Sequence, residues 1–274
     1  MSNIEEKLRA TVQHAYENAS AVRQRFDKAG LTPADVQTIA DLRKVPVLEK
    51  DEVIRLQQAD PPFGGMLGVP INEVAHIFMS PGPIYEPDVD DDDDAWEMAL
   101  TVLKAGGFTP DDIVINTISY HLVPAGSLLD NGFRYMGCTV VPSGFGNTDL
   151  QIKLIGDLGV TGYAGTPSFL MRLIERAEEM GLDFKKDFKL KKALVSAEPL
   201  PAALRDTFVE KYGISVVNTY ATAELGLLAY NNSEGLAMDL LDQPIIQIID
   251  PDTGEDVGAG EVGEVVVTNF SKIY

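Results

Sequence analysis

Short β-rich runs alternate with amphipathic stretches through the middle of the 274-residue chain, and this alternation limits the possible folds more than any other feature. The predicted strands cover 74–79, 113–117, 139–143, 162–166, 193–196 and 216–220. Helices are predicted between them, at about 93–106, 125–136, 149–158, 167–181 and 201–212. Because connections of this length hold crossover helices, the pattern predicts an α/β fold with a mainly parallel, helix-covered sheet.

The two ends of the chain follow other patterns. Apolar residues recur at helical spacing over 4–26 and predict a first helix, and a threonine–proline start signal predicts a second over about 33–43. Runs at 245–249 and 262–268 predict two strands with little helix between them. The predicted division is a helical portion, an α/β nucleotide- and acyl-binding core and the start of a β subdomain, at 1–70, 71–240 and 241–274.

The chain is strongly acidic, with 42 acidic and 22 basic side chains and a net charge of -20. Such a surface repels nucleic acid and anionic lipid, so neither is expected as a partner. No apolar run is long enough to span a bilayer, and the single Cys138 excludes an internal disulfide. We therefore expect a cytoplasmic protein without a membrane partner.

The stretch most suggestive of chemistry is Asn-Thr-Tyr-Ala-Thr-Ala-Glu-Leu-Gly at 218–226. It follows a β-branched strand, so we expect Tyr220 at the carboxyl end of a strand, where open α/β sheets bind ligands. An aromatic ring there can stack on a base, and Glu224 can hold a hard cation beside phosphate. A buried tyrosine and a solvated glutamate explain the same residues, so the stretch alone leaves both interpretations open.

Other stretches occur with it in a fixed order. They read Tyr-Ala-Gly-Thr-Pro-Ser at 163–168, Ala-Leu-Val-Ser-Ala-Glu-Pro-Leu-Pro at 193–201 and Gly-Glu-Val-Gly-Glu-Val-Val-Val-Thr at 260–268. Together they resemble the adenylate-forming superfamily, most closely its phenylacetate–CoA ligase type. The resemblance covers nearly the whole chain and implies the large domain alone. The chain is therefore expected to be truncated at Tyr274, before the family's small C-terminal domain and its lysine.

The resemblance implies acid activation: an acid and ATP form an acyl-adenylate, whose acyl group then passes to coenzyme A. Tyr220 matches the ring that stacks on adenine, and Glu224 matches the catalytic glutamate that helps bind magnesium. The residues that match ATP or AMP contacts are Ser196, Ala197, Glu198, Pro199, Asn218, Thr219, Tyr220, Ala221 and Thr222.

The acyl pocket of the family matches residues 119–126. The predicted contacts to a small aromatic or short-chain carboxylic acid come from Tyr120, His121, Gly165 and Thr166. A half-buried loop histidine explains His121 equally well.

The phosphate loop departs from the family pattern Ser-Ser-Gly-Thr-Thr-Gly-Lys-Pro, because residues 80–87 read Ser-Pro-Gly-Pro-Ile-Tyr-Glu-Pro. Ser80 and Gly82 are retained, whereas Tyr85 replaces a glycine and Glu86 replaces the lysine. Proline has no N–H to offer phosphate, and a glutamate repels it. Ala223, where the family has a hydroxyl residue, is a second departure.

The aspartates of 88–94 allow two interpretations. They either cap the following helix and match its dipole, or form a cation site with Glu86. Neither restores a phosphate site.

Two functions follow from these observations. The first is phenylacetate–CoA ligase-like acid activation, incomplete in this chain, with ATP, magnesium and coenzyme A implied by the resemblance. The alternative is an ATP-independent, catalytically inactive relative that binds an acid or acyl-CoA, or acts as a scaffold. A homodimer is compatible with both.

Overall fold

A computed structural model describes residues 3–89, 93–232, 235 and 237–273. The chain divides into two compact units. The first unit joins Met1–Asp92 to Gln243–Tyr274, and the second unit is Asp93–Asp242. The predicted three-part division of the chain stays a prediction.

The helices are α1 (Asn3–Asn18), α2 (Ser20–Lys28), α3 (Lys50–Ala59), α4 (Asp93–Ala105), α5 (Ala125–Met136), α6 (Thr148–Asp157), α7 (Pro167–Glu179), α8 (Phe184–Asp187) and α9 (Ala202–Asp206). A π-helical turn, Thr207–Tyr212, continues α9. The strands are β1 (His76–Ser80), β2 (Ile84–Asp88), β3 (Ile113–Asn116), β4 (Thr139–Pro142), β5 (Gly162–Gly165), β6 (Lys192–Val195), β7 (Ser215–Thr222), β8 (Gly226–Asn231), β9 (Asp239–Leu240), β10 (Ile245–Ile249) and β11 (Glu264–Thr268).

The first unit is built from both ends of the chain. Its apolar cluster contains Leu8, Val12 and Phe26 from α1 and α2, together with Ile245 from β10. Strands β1 and β2 form an antiparallel pair, and so do β10 and β11, as predicted for the last part of the chain. The N–H of Gly68 donates to the carbonyl of Ile273, 2.5 Å away. The C-terminal segment therefore completes the core of the N-terminal one.

Three sequence predictions for the first unit are wrong. The first helix is divided at Ala19, whose backbone is extended because Ala21 N–H donates to the carbonyl of Gly65 just after the break. The helix predicted over 33–43 is replaced by two short 3-10 helices, Pro33–Asp35 and Ile39–Lys44. The strand predicted at 74–79 lies outside the parallel sheet, since β1 pairs with β2 alone.

The second unit contains, within the described residues, a seven-stranded sheet in the order β4-β3-β5-β6-β7-β8-β9. The five strands β3 to β7 run parallel, and β8 and β9 return antiparallel at one edge. The predicted α/β fold with a mainly parallel sheet is confirmed.

Both faces of this sheet are covered by helices. Val114 and Ile115 are adjacent in β3, yet they enter different apolar clusters because successive side chains of a strand point to opposite faces. The same holds for Leu194 and Val195 in β6. Because both faces are covered, the candidates for a ligand site are the side chains at the carboxyl ends of the parallel strands.

Part of the aspartate run, residues 90–92, lies outside the described residues. The predicted helix cap and cation site at this run stay predictions. In the part of the chain that the structure describes, no helix is both long and apolar enough to cross a membrane.

Candidate functional site

The loop after β6 connects the ends of three strands. Ser196 N–H donates to the carbonyl of Gly165 at the end of β5, and its hydroxyl donates to the carbonyl of Thr219 in β7, 3.1 Å away in each case. The next residue, Ala197, has a left-handed backbone with φ of 67°. Such strain in a residue with a side chain is found often at functional sites. Glu198 accepts a hydrogen bond from the backbone N–H of Ser168, so the loop is held firmly at the sheet edge.

Tyr220 lies in β7 and is 46% exposed. The strand continues to Thr222, so it ends two residues beyond Tyr220, where the sequence predicted its end. The pairing of β7 with β8 shifts register between Tyr220 and Ala221. Bulges of this kind re-aim side chains and are common beside sites. The structure thus presents an accessible aromatic ring beside the loop after β6.

A pocket of about 480 Å³ lies between the start of α9 and strands β7 and β8. Asn218 in β7 and Asn231 in β8 are register partners, so their backbones are adjacent in this wall of the pocket. The positively charged guanidinium of Arg205 also lies here and donates a hydrogen bond to the carbonyl of Asn232. The pocket is lined by Pro199, Leu200, Pro201, Ala202, Arg205, Asp206, Asn218, Asn231 and Gly235.

Two of these lining residues, Pro199 and Asn218, belong to the predicted nucleotide contacts. Arg205, Asp206 and Asn231 were missed by the sequence reasoning. Arg205 and Asp206 come less than two helical turns after the loop that follows β6. This closeness in sequence is the one signal that pointed to them. Asn231 carries none, because its place depends on the antiparallel return of β8.

Residues of the predicted acyl pocket are tied to the end of β3. The amide of the fully buried Asn116 donates to the hydroxyl of Tyr120, 2.8 Å away, and to the carbonyl of Gly126, 2.9 Å away. The hydroxyl of Tyr120 then donates to Asp130. Burial, aided by the Asp130 charge, raises the pKa of Tyr120 well above its usual value. Tyr120 can therefore offer an acid its ring, whereas its hydroxyl is already hydrogen-bonded. The neighbouring His121 is exposed.

Gly165 and Thr166, also predicted to contact the acid, have clear structural tasks. A Cβ at Gly165 would lie 2.1 Å from Thr117 Oγ1 and 2.2 Å from the hydroxyl of Tyr163. The hydroxyl of Thr166 caps α7 by accepting the N–H of Phe169. These contacts shape the end of β5.

Glu224 lies in the turn between β7 and β8. The described residues contain no group of three or more His, Cys, Asp or Glu side chains that could hold a metal ion. Magnesium is usually held by one or two carboxylates together with substrate phosphates. Glu224 is one carboxylate of the kind that such a site uses.

The predicted phosphate loop lies in the first unit and forms the β1–β2 hairpin. The hydroxyl of Ser80 donates to Glu86 Oε1 over 2.7 Å, and both side chains are buried. Gly82 lies in the turn between the strands, and Tyr85 is a strand residue with an exposed ring. The four predicted residues are thus brought together as a hairpin.

A comparison with known families decides the relationship. The family model described as AMP-binding enzyme matches residues 95–271. The chain belongs to the AMP-binding enzyme family. Its α/β sheet, the loop after β6 and Tyr220 all lie within the matched residues.

Individual members of the AMP-binding family agree with this result. The phenylacetate-coenzyme A ligase of Pseudomonas putida is 32% identical, over 97% of this chain and 62% of the relative. That of Aromatoleum evansii is 33% identical, over 97% of this chain and 61% of the relative. The chain thus spans about three-fifths of the length of these curated relatives.

Among solved structures, an open conformation of 2-hydroxyisobutyryl-CoA ligase, in complex with 2-HIB-AMP and CoA, matches with a TM-score of 0.88. It is 24% identical, and the match covers 97% of this chain and 65% of that one. At this identity the likeness concerns the fold.

Proposed function

We propose that this chain provides the adenylate-binding part of a phenylacetate–CoA ligase-like enzyme. The observation that carries the proposal is the pocket of about 480 Å³, which includes Pro199 and Asn218 and lies on the strand that bears Tyr220. A primary amide has both donors and acceptors for the edge of an adenine base. A half-exposed tyrosine ring offers a surface on which a base can stack.

The reaction in this proposal has two steps. A small aromatic or short-chain acid is joined to the AMP part of ATP with release of pyrophosphate. The acyl group then passes to the thiol of coenzyme A, with release of AMP. The ring of Tyr120 and the backbone of 119–126 line the acid site. Glu224 binds magnesium together with the phosphate. The names of the curated relatives, phenylacetate-coenzyme A ligases, support this assignment.

Replacement of Tyr220 tests the base site. Loss of one base–aromatic stack typically costs about 1–3 kcal/mol, so Tyr220→Ala is expected to weaken AMP binding by about 5- to 150-fold in calorimetry. Tyr220→Phe keeps the ring and is expected to bind normally.

The matched control is Tyr135→Ala, because Tyr135 is another exposed tyrosine, lies on α5 and is not among the residues that line the pocket. Equal AMP affinity of Tyr220→Ala and the unaltered protein would refute the stacking role. If the unaltered chain binds neither AMP nor an acyl-adenylate analogue, the proposed function is wrong.

A second candidate is a relative that binds an acid or acyl-CoA without ATP. The observation in its favour is the buried Glu86 at the position of the family's lysine. An assay for AMP separates the two, with the acid, ATP, magnesium and coenzyme A supplied together. Formation of AMP from ATP by this chain would exclude the second candidate.

A further inference from the structure

The hairpin at the phosphate-loop position is closed along its whole length. Five residue pairs link β1 to β2, from His76 opposite Asp88 to Ser80 opposite Ile84. The hydrogen bond from Ser80 to Glu86 Oε1 adds a side-chain link, with Ser80 2% and Glu86 6% exposed. The carboxylate at the family's lysine position is therefore part of the hairpin interior.

Gln57 of α3 fastens this hairpin from its other edge. Its side chain accepts the N–H of Tyr85 over 2.8 Å and donates to the carbonyl of Tyr85 over 2.9 Å. The backbone N–H and the backbone carbonyl of Tyr85 thus both face α3. Gln57 is itself buried, so the two bonds are shielded from water.

The backbone donors of this segment are then almost fully committed. Hydrogen bonding alternates along an antiparallel strand. Because the backbone N–H of Tyr85 faces α3, the backbone N–H groups of Ile84 and Glu86 face β1. Three of the seven residues 81–87 are prolines and have no N–H. Within 81–87, which the structure describes in full, Gly82 is then the one residue whose N–H is taken by neither β1 nor Gln57. Phosphate-binding loops need several such donors together.

There is also little room for the turn to open. A Cβ at Gly82 would lie 2.9 Å from Ile84 Cγ1 and 3.4 Å from Ile54 Cδ1. Ile84 is 2% exposed and is part of the packing between the hairpin and α3. Opening the turn to surround a phosphate would expose this side chain and break the Gln57 bonds.

We propose that the β1–β2 hairpin is a locked structural element, and that this chain binds a nucleotide through its AMP part alone, with no affinity gained from β- and γ-phosphates. The second part rests on the proposed function, since it needs the base site of the second unit. The hairpin supplies no attraction for β- and γ-phosphates, and a ligand gains affinity only from groups that the protein contacts.

Hydrogen exchange tests the hairpin by itself. In the unaltered protein, the amide of Tyr85 is expected to be strongly protected, and magnesium with ATP is expected to leave protection over 80–88 unchanged. Gln57→Leu is expected to speed exchange at Tyr85 by at least about tenfold, whereas Gln58→Leu, at the exposed neighbouring position, should leave it unchanged. Rapid exchange at Tyr85 in the unaltered protein, or protection gained with ATP, would overturn the locked hairpin.

Calorimetry with AMP and with magnesium and ATP tests the ligand. The two nucleotides are expected to bind within roughly threefold of each other. ATP bound more than about tenfold tighter than AMP would overturn the proposal. If neither nucleotide binds, the proposed function and the ligand assignment fail together, while the exchange experiment still decides whether the hairpin is locked.

Discussion

Glycine at position 165 is required by the hydroxyl groups that lie against it. Thr117 donates its hydroxyl hydrogen to the carbonyl of Ala164, 3.0 Å away, and Tyr163 donates its own to the carbonyl of Thr166, 2.8 Å away. Burial raises the pKa of Tyr163 far above its usual value, so the phenol keeps the proton that it donates. A side chain at Gly165 would have to displace one of these two bonds.

Gly165→Ala is accordingly expected to destabilise the protein by about 1–3 kcal/mol, because the added methyl has no free space at the end of β5. Urea denaturation measures this. Gly156→Ala in α6 is the matched control, since its methyl would lie at an ordinary 3.5 Å from Phe188. A helical glycine replaced by alanine is expected to gain up to about 1 kcal/mol. The same loss of stability in both variants would contradict the steric argument.

At the scale of elements, the amino ends of three parallel strands meet at one carboxylate. Asp112, just before β3, is 4% exposed and accepts Lys192 of β6 at 3.0 and 2.7 Å. It also accepts the hydroxyl of Thr161, just before β5. Burial alone raises the pKa of Asp112, but its bonds to Lys192, Thr161 and Thr109 outweigh this and hold it below its usual value. Burial raises the pKa of nearby Cys138 to about 11, so that thiol stays protonated.

This lowered pKa gives a pH signature. A carboxyl that binds its proton less readily when folded stabilises the protein above the unfolded pKa, about 3.9, and stops doing so as the pH falls. Asp112→Asn is expected to cost about 3 kcal/mol at pH 7, and less as the pH falls below about 4. Asp111→Asn, at the exposed neighbouring position, should change stability little at either pH. A cost for Asp112→Asn that is constant from pH 7 to pH 3 would contradict this account.

Elements with strong local patterns could be predicted from the sequence. Helix α5 and strands β3 to β6 lie within about a residue of their predicted bounds, because apolar periodicity and turn residues agree there. The break at Ala19 could not be predicted, since it depends on a contact with Gly65 distant in sequence. The 3-10 helices in place of the helix over 33–43 reflect a second capping signal, in which Asp41 accepts the N–H of Thr38.

The candidate site divides in the same way. Tyr220, Asn218 and Pro199 could be proposed from the sequence, because each lies in a motif within or just after a parallel strand. The roles of Asn231 and Gln57 depend on the return of β8 and on the packing of α3 against β2. Such contacts between distant parts of the chain leave no local pattern in the sequence.

At the scale of the whole molecule, the two units differ in how their cores are assembled. The second unit contains a sheet with both faces covered by its own helices. The first unit needs Ile245 and the β10–β11 pair to complete the cluster around Leu8 and Phe26. The net charge of -20 divides into -12 on the first unit and -8 on the second.

A fragment of residues 93–242 is therefore expected to fold by itself, with a cooperative thermal transition in circular dichroism. A fragment of residues 1–242 is expected to keep that transition, while its first 60 residues exchange amide hydrogens rapidly. Slow exchange there, comparable with that in the full chain, would show that the N-terminal segment does not need residues 243–274. Absence of a transition in the 93–242 fragment would contradict the independence of the second unit.

The assembly of the first unit from both ends of the chain also has a consequence in time. A ribosome that adds about 5–20 residues per second needs roughly 8–30 s to make the 150 residues between the two segments of the first unit. During this interval, the apolar faces of α1 and α2 lack Ile245, whereas the sheet of the second unit needs no strand made later than residue 242. We therefore expect the N-terminal helices to expose apolar surface until residues 243–274 have been made.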